Sequence, residues 1–324
     1  MTVRARLYDA RGDDRDVDIG AIEPGKIDDR ALLWIDVDGQ DAADIDGVAR
    51  AVELEPRLRR VLANTQHQPH VVRLANRVGI VLTAIDRNGP NGDESLVRRD
   101  LDVVVGRNLV ITVHDGGLAA IRDYDEQVRG ERDLGLLDAG AFIAGLVDAV
   151  FATYLGEVED IEREIEKLDQ IALRQSASHD DFLDRVVQLR RRIALLRRWV
   201  APNRDAIAPL IRPDFELHGD IVPSWPGMLD RLEHVIGAVE NARELLVGSL
   251  DIYLGRSAQR SNDVMKTLTI VSSIALPAVV LAGVMGMNFQ IGFFDNAANF
   301  YVVVVAMLVI SITILVLARW RRWI

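Results

Sequence analysis

Three features of the sequence together predict an α+β membrane protein. Two apolar runs, Leu268–Asn288 and Phe300–Ala318, are separated by a short polar stretch. β-Branched runs bounded by turn residues fill the first 138 positions. From Pro226 onward nothing interrupts a helical pattern until Pro277. The expected organisation is an α/β domain over residues 1–138, a helical stalk over 139–266 and a membrane hairpin over 267–324. Within the hairpin the spans are placed at about 267–287 and 300–318, with a loop at 288–299 between them.

The α/β domain is read from short elements. Ala31–Val37 (ALLWIDV) is an apolar run closed by Asp38-Gly39, as a strand entering a turn should be. Ala42–Leu54 carries Ile45, Val48, Ala49 and Val52 at helical spacing. Val78–Ile85, Leu101–Val105 and Asn108–Val113 are strand candidates, and Asn88-Gly89-Pro90-Asn91-Gly92 is a loop. The pattern becomes helical over Ala139–Leu173, where Ile161, Ile165 and Leu168 mark a packed stripe. Its other face, from Glu157 through Asp169, is acidic. One reading is a surface that concentrates cations; the plainer and preferred one is a solvated face with charge pairs one turn apart. Asp180–Pro209 is predicted as a single arginine-rich helix packed antiparallel on the acidic one, and Arg212–Pro226 as a loop. The helix beyond Pro226 continues its apolar spacing through Leu245, Leu246, Leu250, Ile252 and Leu254 into the first span. About sixty residues at about 1.5 Å each make a rod of roughly 90 Å. Such a rod cannot bury its faces alone, so self-association about an axis is expected.

Composition narrows the function. The net charge is −11, and without Arg319, Arg321, Arg322 and Asp295 the part before Thr267 carries −13. An acidic body argues against nucleic acid and suits cation handling, although acidity also serves plain solubility. With no cysteine there are no disulfides or thiolate metal sites. The first 25 residues lack the apolar core of a signal peptide, so insertion is assigned to the hairpin. Lys266 and the Arg319–Trp323 cluster flank the spans, which places both termini in the cytoplasm and Phe289–Asn299 outside. His67-x-x-His70 has no further ligand at metal spacing, and His114, His179, His218 and His234 read as ordinary histidines. No nucleophile–base constellation or phosphate loop is visible, so the chain is not read as an enzyme, and no cofactor is expected.

Gly286-Met287-Asn288, followed by Phe289 at the outer end of the first span, resembles the GMN signature of the CorA family of divalent-cation channels. Asn262–Pro277 resembles that family's first pore helix, while WIDVDG at 34–39 and LDVVVGRNLVITVHD at 101–115 resemble its cytoplasmic domain. The resemblance implies a funnel-shaped homopentamer in the cell membrane that passes hydrated Mg²⁺, with Co²⁺ or Ni²⁺ as possible passengers and the ion as ligand. It makes Gly286, Met287 and Asn288 the selectivity filter. Steps of three or four from Asn262 give a stripe of Met265, Leu268, Ser272, Leu276, Val279 and Gly283, which coincides with the family's pore-lining positions. Asp251, three turns below Asn262, is the inner polar station, and Asp251 and Asn288 are the expected contacts of the hydrated ion. The alternative for these residues is helix or lipid packing, and for Asn288 a helix cap.

The sequence departs from the family pattern in several places. The acidic positions of its intersubunit magnesium sensor fall on Arg60, Val61 and Gly227, none of which supplies a carboxylate. Val279 lacks the hydroxyl some members carry. The usual MPEL motif after GMN is absent, leaving Asp295 as the loop's one charge. The ZntB branch, a proton-coupled zinc carrier, is the rival within the family. A membrane-tethered scaffold or sensor is the rival from another class, and it would need no GMN.

Overall fold

The computed structural model describes residues 2–9, 14–22, 27, 31–63, 68–74, 76–87, 95–128, 139–174, 179–211, 225–287 and 297–321. The chain clusters into two compact units. One comprises Met1–Ile171 and Ser176–Ser249, the other Leu250–Ile324 with Ala172–Gln175.

The first unit is built on a mixed sheet. Its strands are β1 (Thr2–Asp9), β2 (Arg15–Asp16), β3 (Ala31–Asp38), β4 (His70–Arg73), β5 (Val78–Asp86), β6 (Val97–Gly106) and β7 (Leu109–His114). They lie in the order β2-β1-β3-β7-β6-β5-β4. Among the described strands only β3 and β7 pair in parallel, with Leu33 opposite Leu109 and Asp38 opposite His114. β3, β5 and β7 read as continuous apolar runs because both faces of the sheet are covered. On one face α1 (Ala42–Ala51) and α2 (Pro56–Leu62) bury Ile45, Val48, Val52, Leu58 and Leu62 against Leu33, Ile35, Ile111 and Val113. On the other face Phe142 packs its ring on Tyr8, Trp34 and Tyr124. Tyr124 lies in α3 (Ala119–Val128) and Phe142 in α4 (Ala139–Arg174).

The expected strands and the helix after β3 are present; the eight-residue β1 and the short strands β2 and β4 had not been expected. α1 stops at Ala51 rather than at Leu54, because Glu53 turns left-handed at φ 49° and the Leu54 amide donates back to the Ala49 carbonyl. The predicted loop Asn88–Gly92 and most of the predicted loop at 212–226 lie outside the described residues.

The stalk helices differ from expectation in three respects. The helix α5 (His179–Val200) does not run to Pro209. Pro202 cannot donate a helical hydrogen bond, and the chain restarts as α6 (Asn203–Ile207). The restart serves a purpose. Asn203 is fully buried, and its side-chain amide accepts from the Thr83 amide at 2.8 Å and donates to the Thr83 carbonyl at 3.0 Å. That bonding replaces a strand partner, since β4 pairs with β5 only as far as Val81. Second, Glu157 is buried, not part of a solvated face. Arg87 reaches it at 2.7 Å and Arg192 of α5 at 2.7 Å. Arg192 also holds Glu164 at 2.6 Å, so α4 and α5 do pair their opposite charges as expected. Third, the packed stripe of α7 (Trp225–Met285) is Met228, Leu232, Val235, Val239, Ala242, Leu246 and Ser249, at alternating steps of four and three. Of the residues read from sequence only Leu246 belongs to it; Leu245, Ile252 and Leu254 are exposed.

Candidate pore helix

In the second unit lie the end of α7, from Leu250 on, and α8 (Ala297–Trp320). Among the described residues three helices are long and apolar enough to cross a membrane: Ala139–Leu173, Gly227–Met285 and Ala298–Trp320. Half of the first one's apolar window is buried inside the protein, against 6% and 0% for the other two. The first therefore spends its apolar face on the sheet, and the latter two leave theirs free.

α7 runs unbroken through Pro277, which lacks the amide that would bond the Ser273 carbonyl. The Gly286 amide still donates to the Ala282 carbonyl at 2.9 Å, and Met287 tightens to the Val284 carbonyl at 3.2 Å. A methyl group at Gly286 would sit 3.3 Å from the Ala282 carbonyl oxygen, so the end of the helix is tightly wound there. Thr267 and Thr269 donate their hydroxyls to carbonyls one turn back, at 2.9 and 2.8 Å.

Asp251, Asn262, Met265, Leu268, Ser272, Leu276, Val279, Gly283, Gly286 and Met287 are all exposed, Leu276 and Val279 at 66%. The half-buried residues of the same stretch are Lys266, Ile270, Ile274, Pro277, Ala278, Leu281 and Met285. At about 100° per residue these two sets occupy opposite sides of the helix. Sequence spacing found the first stripe but not the second, although the second is its angular complement. Asn288, Phe289 and Asp295 lie outside the described residues.

The residues aligned with the family's sensor are placed in the first unit. Val61 is buried and packs on Gly79, where a Cβ would lie 3.0 Å from its methyl group. Arg60 and Gly227 are exposed, with nothing within 4 Å of a Cβ at Gly227. His70 Nδ1 donates to the Gln68 carbonyl at 2.8 Å, while His67 lies outside the described residues. Among the described residues no group of three His, Cys, Asp or Glu side chains is arranged to hold a metal ion.

His114 is the histidine that sequence undervalued. It is 2% exposed, with Nδ1 2.8 Å from the Gly116 carbonyl and Nε2 3.2 Å from Asp36. Asp36 accepts from Thr112 at 2.6 Å, which in turn accepts from the Trp34 indole at 3.0 Å. Burial opposes charge on His114, but Asp36, the Gly116 carbonyl and Asp38 outweigh it and move its pKa up.

A family model described as CorA-like Mg2+ transporter protein matches residues 29–322. The chain belongs to this CorA family. It is 26% identical over 316 residues to the cobalt/magnesium transport protein CorA of Thermotoga maritima, covering 94% of this chain and 87% of that one. It is 22% identical over 322 residues to the protein of the same name from Methanocaldococcus jannaschii, covering 94% and 97%. The zinc transport protein ZntB of Klebsiella pneumoniae is 21% identical over 273 residues, covering 81% and 78%. The complete structure of the CorA magnesium transporter from Methanocaldococcus jannaschii superposes over 100% of both chains, with TM-score 0.76 and 19% identity. The ZntB cytoplasmic domain from Vibrio parahaemolyticus covers 80% of this chain and 100% of its own, with TM-score 0.62 and 12% identity. At these identities the superpositions speak for the CorA fold alone.

Proposed function

We propose that this CorA-family protein is a homopentameric channel for passive uptake of hydrated Mg²⁺, filtered by a ring of Asn288 amides. The observation that carries the reading is the free face of α7. Its half-buried residues occupy one side, and the Asn262–Gly286 stripe stands exposed on the other. Five copies of that stripe about an axis would line a conduit. Mg²⁺ sheds water reluctantly, so a selective mouth should hold the ion with its water on. Neutral amide oxygens accept hydrogen bonds from that water and release it readily. Met265, Leu268, Leu276 and Val279 form apolar rings that gate by dewetting, with Asp251 and Asn262 as polar stations. An inward potential supplies about 4.6 kcal/mol per 100 mV for a divalent ion. The relatives named for cobalt and magnesium transport support the cation class.

Mg²⁺ flux into vesicles holding the purified protein, wild type beside Asn288→Ala, tests this. Flux in the first and at least a tenfold loss in the second is expected. Zn²⁺ movement that requires a proton gradient, with no Mg²⁺ flux, would transfer the assignment to a ZntB-like carrier. No flux of either ion from an assembled oligomer would leave a membrane-tethered scaffold.

A further inference from the structure

At the end of β5 the chain buries a carboxylate that it does not satisfy. Asp86 is 6% exposed. Its Oδ1 accepts from the Arg87 amide at 2.7 Å, while Oδ2 is buried with no hydrogen-bond partner among the described residues. A carboxylate oxygen withdrawn from water is costly unless a donor or a cation reaches it. Asp86 lines a cavity of about 490 Å³ walled by the end of β5, the start of α3 and the middle of α4, all within the first unit. Gly156 of α4 also lines it. Glycine in mid-helix weakens the helix, and a Cβ at this one would meet nothing within 4 Å, so no close approach calls for it. What its missing side chain provides is open space in the cavity.

The charges around the cavity are only partly matched. Glu157 and Asp160 both meet Arg87; Glu157 also meets Arg192 of α5, and Asp160 also meets Arg163. Glu159 is exposed and has no ion-pair partner among the described residues. Arg122 of α3 meets only its chain neighbour Asp123, at 3.6 Å, among the described residues. Two carboxylates, Asp86 and Glu159, are therefore left against one guanidinium. Ile85, Leu96 and Ala119 supply apolar wall.

We infer that this cavity binds a short aliphatic compound carrying two primary ammonium groups, one donating to Asp86 Oδ2 and the other meeting Glu159. A primary ammonium has three donors and no acceptor, which is what a buried carboxylate oxygen lacks. The methylenes between the two groups suit the apolar wall. A divalent metal ion fits less well. Among the described residues no three acidic or histidine side chains are arranged to hold one, and the guanidiniums of Arg87, Arg122 and Arg163 border the cavity and would repel it. Two sources share the ammonium chemistry: diamines such as putrescine, and basic amino acids such as ornithine, whose carboxylate would take Arg122.

Calorimetric titration of the full-length, detergent-solubilised protein with putrescine and with ornithine tests it, and reads binding without ion flux. At least one of the two should bind saturably, once per chain. Asp86→Asn should weaken that binding about tenfold or more, since a hydrogen bond between two charged groups is lost. Gly156→Leu, which fills the cavity and touches no charge, should abolish it, and Glu159→Gln should weaken it severalfold. Tetramethylammonium, which has the charge but no N–H, should not bind. Tighter binding of ornithine that falls in Arg122→Gln supports the site and assigns it to a basic amino acid; tighter binding of putrescine that ignores Arg122→Gln supports it and assigns a diamine. Should Asp86→Asn or Gly156→Leu fail to fold, Glu159→Gln and the tetramethylammonium comparison decide. No saturable binding of either amine at millimolar concentration overturns the site. So does binding that survives the substitutions at Asp86 and Gly156, binding that tetramethylammonium matches, or displacement of the amine by Mg²⁺ at equal concentration, which would make the site one for metal.

Discussion

A buried histidine between two aspartates makes stability depend on pH with a definite sign. The folded pKa of His114 lies above its ordinary value of 6.5, so the native state holds a proton that the unfolded chain releases first. The contribution of His114 is complete below pH 6.5 and is lost as the pH rises through the folded value. Melting of the full-length protein across pH 6 to 8.5 should show that decline in the wild type and lose it in His114→Gln. Glu53 offers a second test. It adopts φ 49° while closing α1, a conformation that costs a side-chain-bearing residue about 1 kcal/mol and glycine little. Arg77 meets its backbone carbonyl, at 3.1 Å, a contact any residue would keep. Glu53→Gly should therefore raise stability by about 0.5–1 kcal/mol, read as a higher denaturant midpoint with unchanged slope.

The stalk helices hold together by matching stripes. α5 buries Phe182, Val186, Leu189, Ile193, Leu196 and Val200 at the same alternating steps that α7 uses from Met228 to Ser249. That spacing is the seam of helices packed at a shallow angle. Ion pairs decorate its edges: Arg197 meets Glu240 at 2.9 Å and Arg231 meets Asp148 at 3.3 Å. These pairs are partly exposed and contribute little beside the apolar seam. Leu232 is fully buried in the seam, so Leu232→Ala should cost about 2–5 kcal/mol, measured by denaturant unfolding. Arg231→Gln, on the edge, should cost less than about 1 kcal/mol in the same measurement.

At the scale of the whole molecule, α7 leaves a long apolar side exposed. Leu254, Val264, Met265, Leu268, Leu276 and Val279 are all more than half exposed in the single chain. If five such stripes line the conduit, its narrow apolar rings hold the closed state by excluding water. Leu276→Ser should then raise Mg²⁺ leak severalfold in the vesicle assay, because a ring of hydroxyls stays wet where a ring of leucines does not. Leak equal to wild type would remove Leu276 from the gate.

Two kinds of information divide cleanly in this protein. Local chemistry determined the spans, the long helix α7, the β-branched strands and the GMN resemblance. An apolar run of twenty residues, or a run of valines and isoleucines, has few ways to satisfy its backbone. The same locality explains the Asn262–Gly286 stripe, which is only a periodicity. Tertiary structure alone decided the rest, because those features join residues distant in sequence. Asn203 completes the edge of β5 across 120 positions, and Glu157 is drawn from an acidic run into burial by Arg87 and Arg192. His114 holds its proton more tightly than a free histidine because the parallel pairing of β7 with β3 sets it beside Asp36 and Asp38. The side of α7 left free was likewise decided by what half-buries its other side. No periodicity, however regular, says which of two faces will be covered.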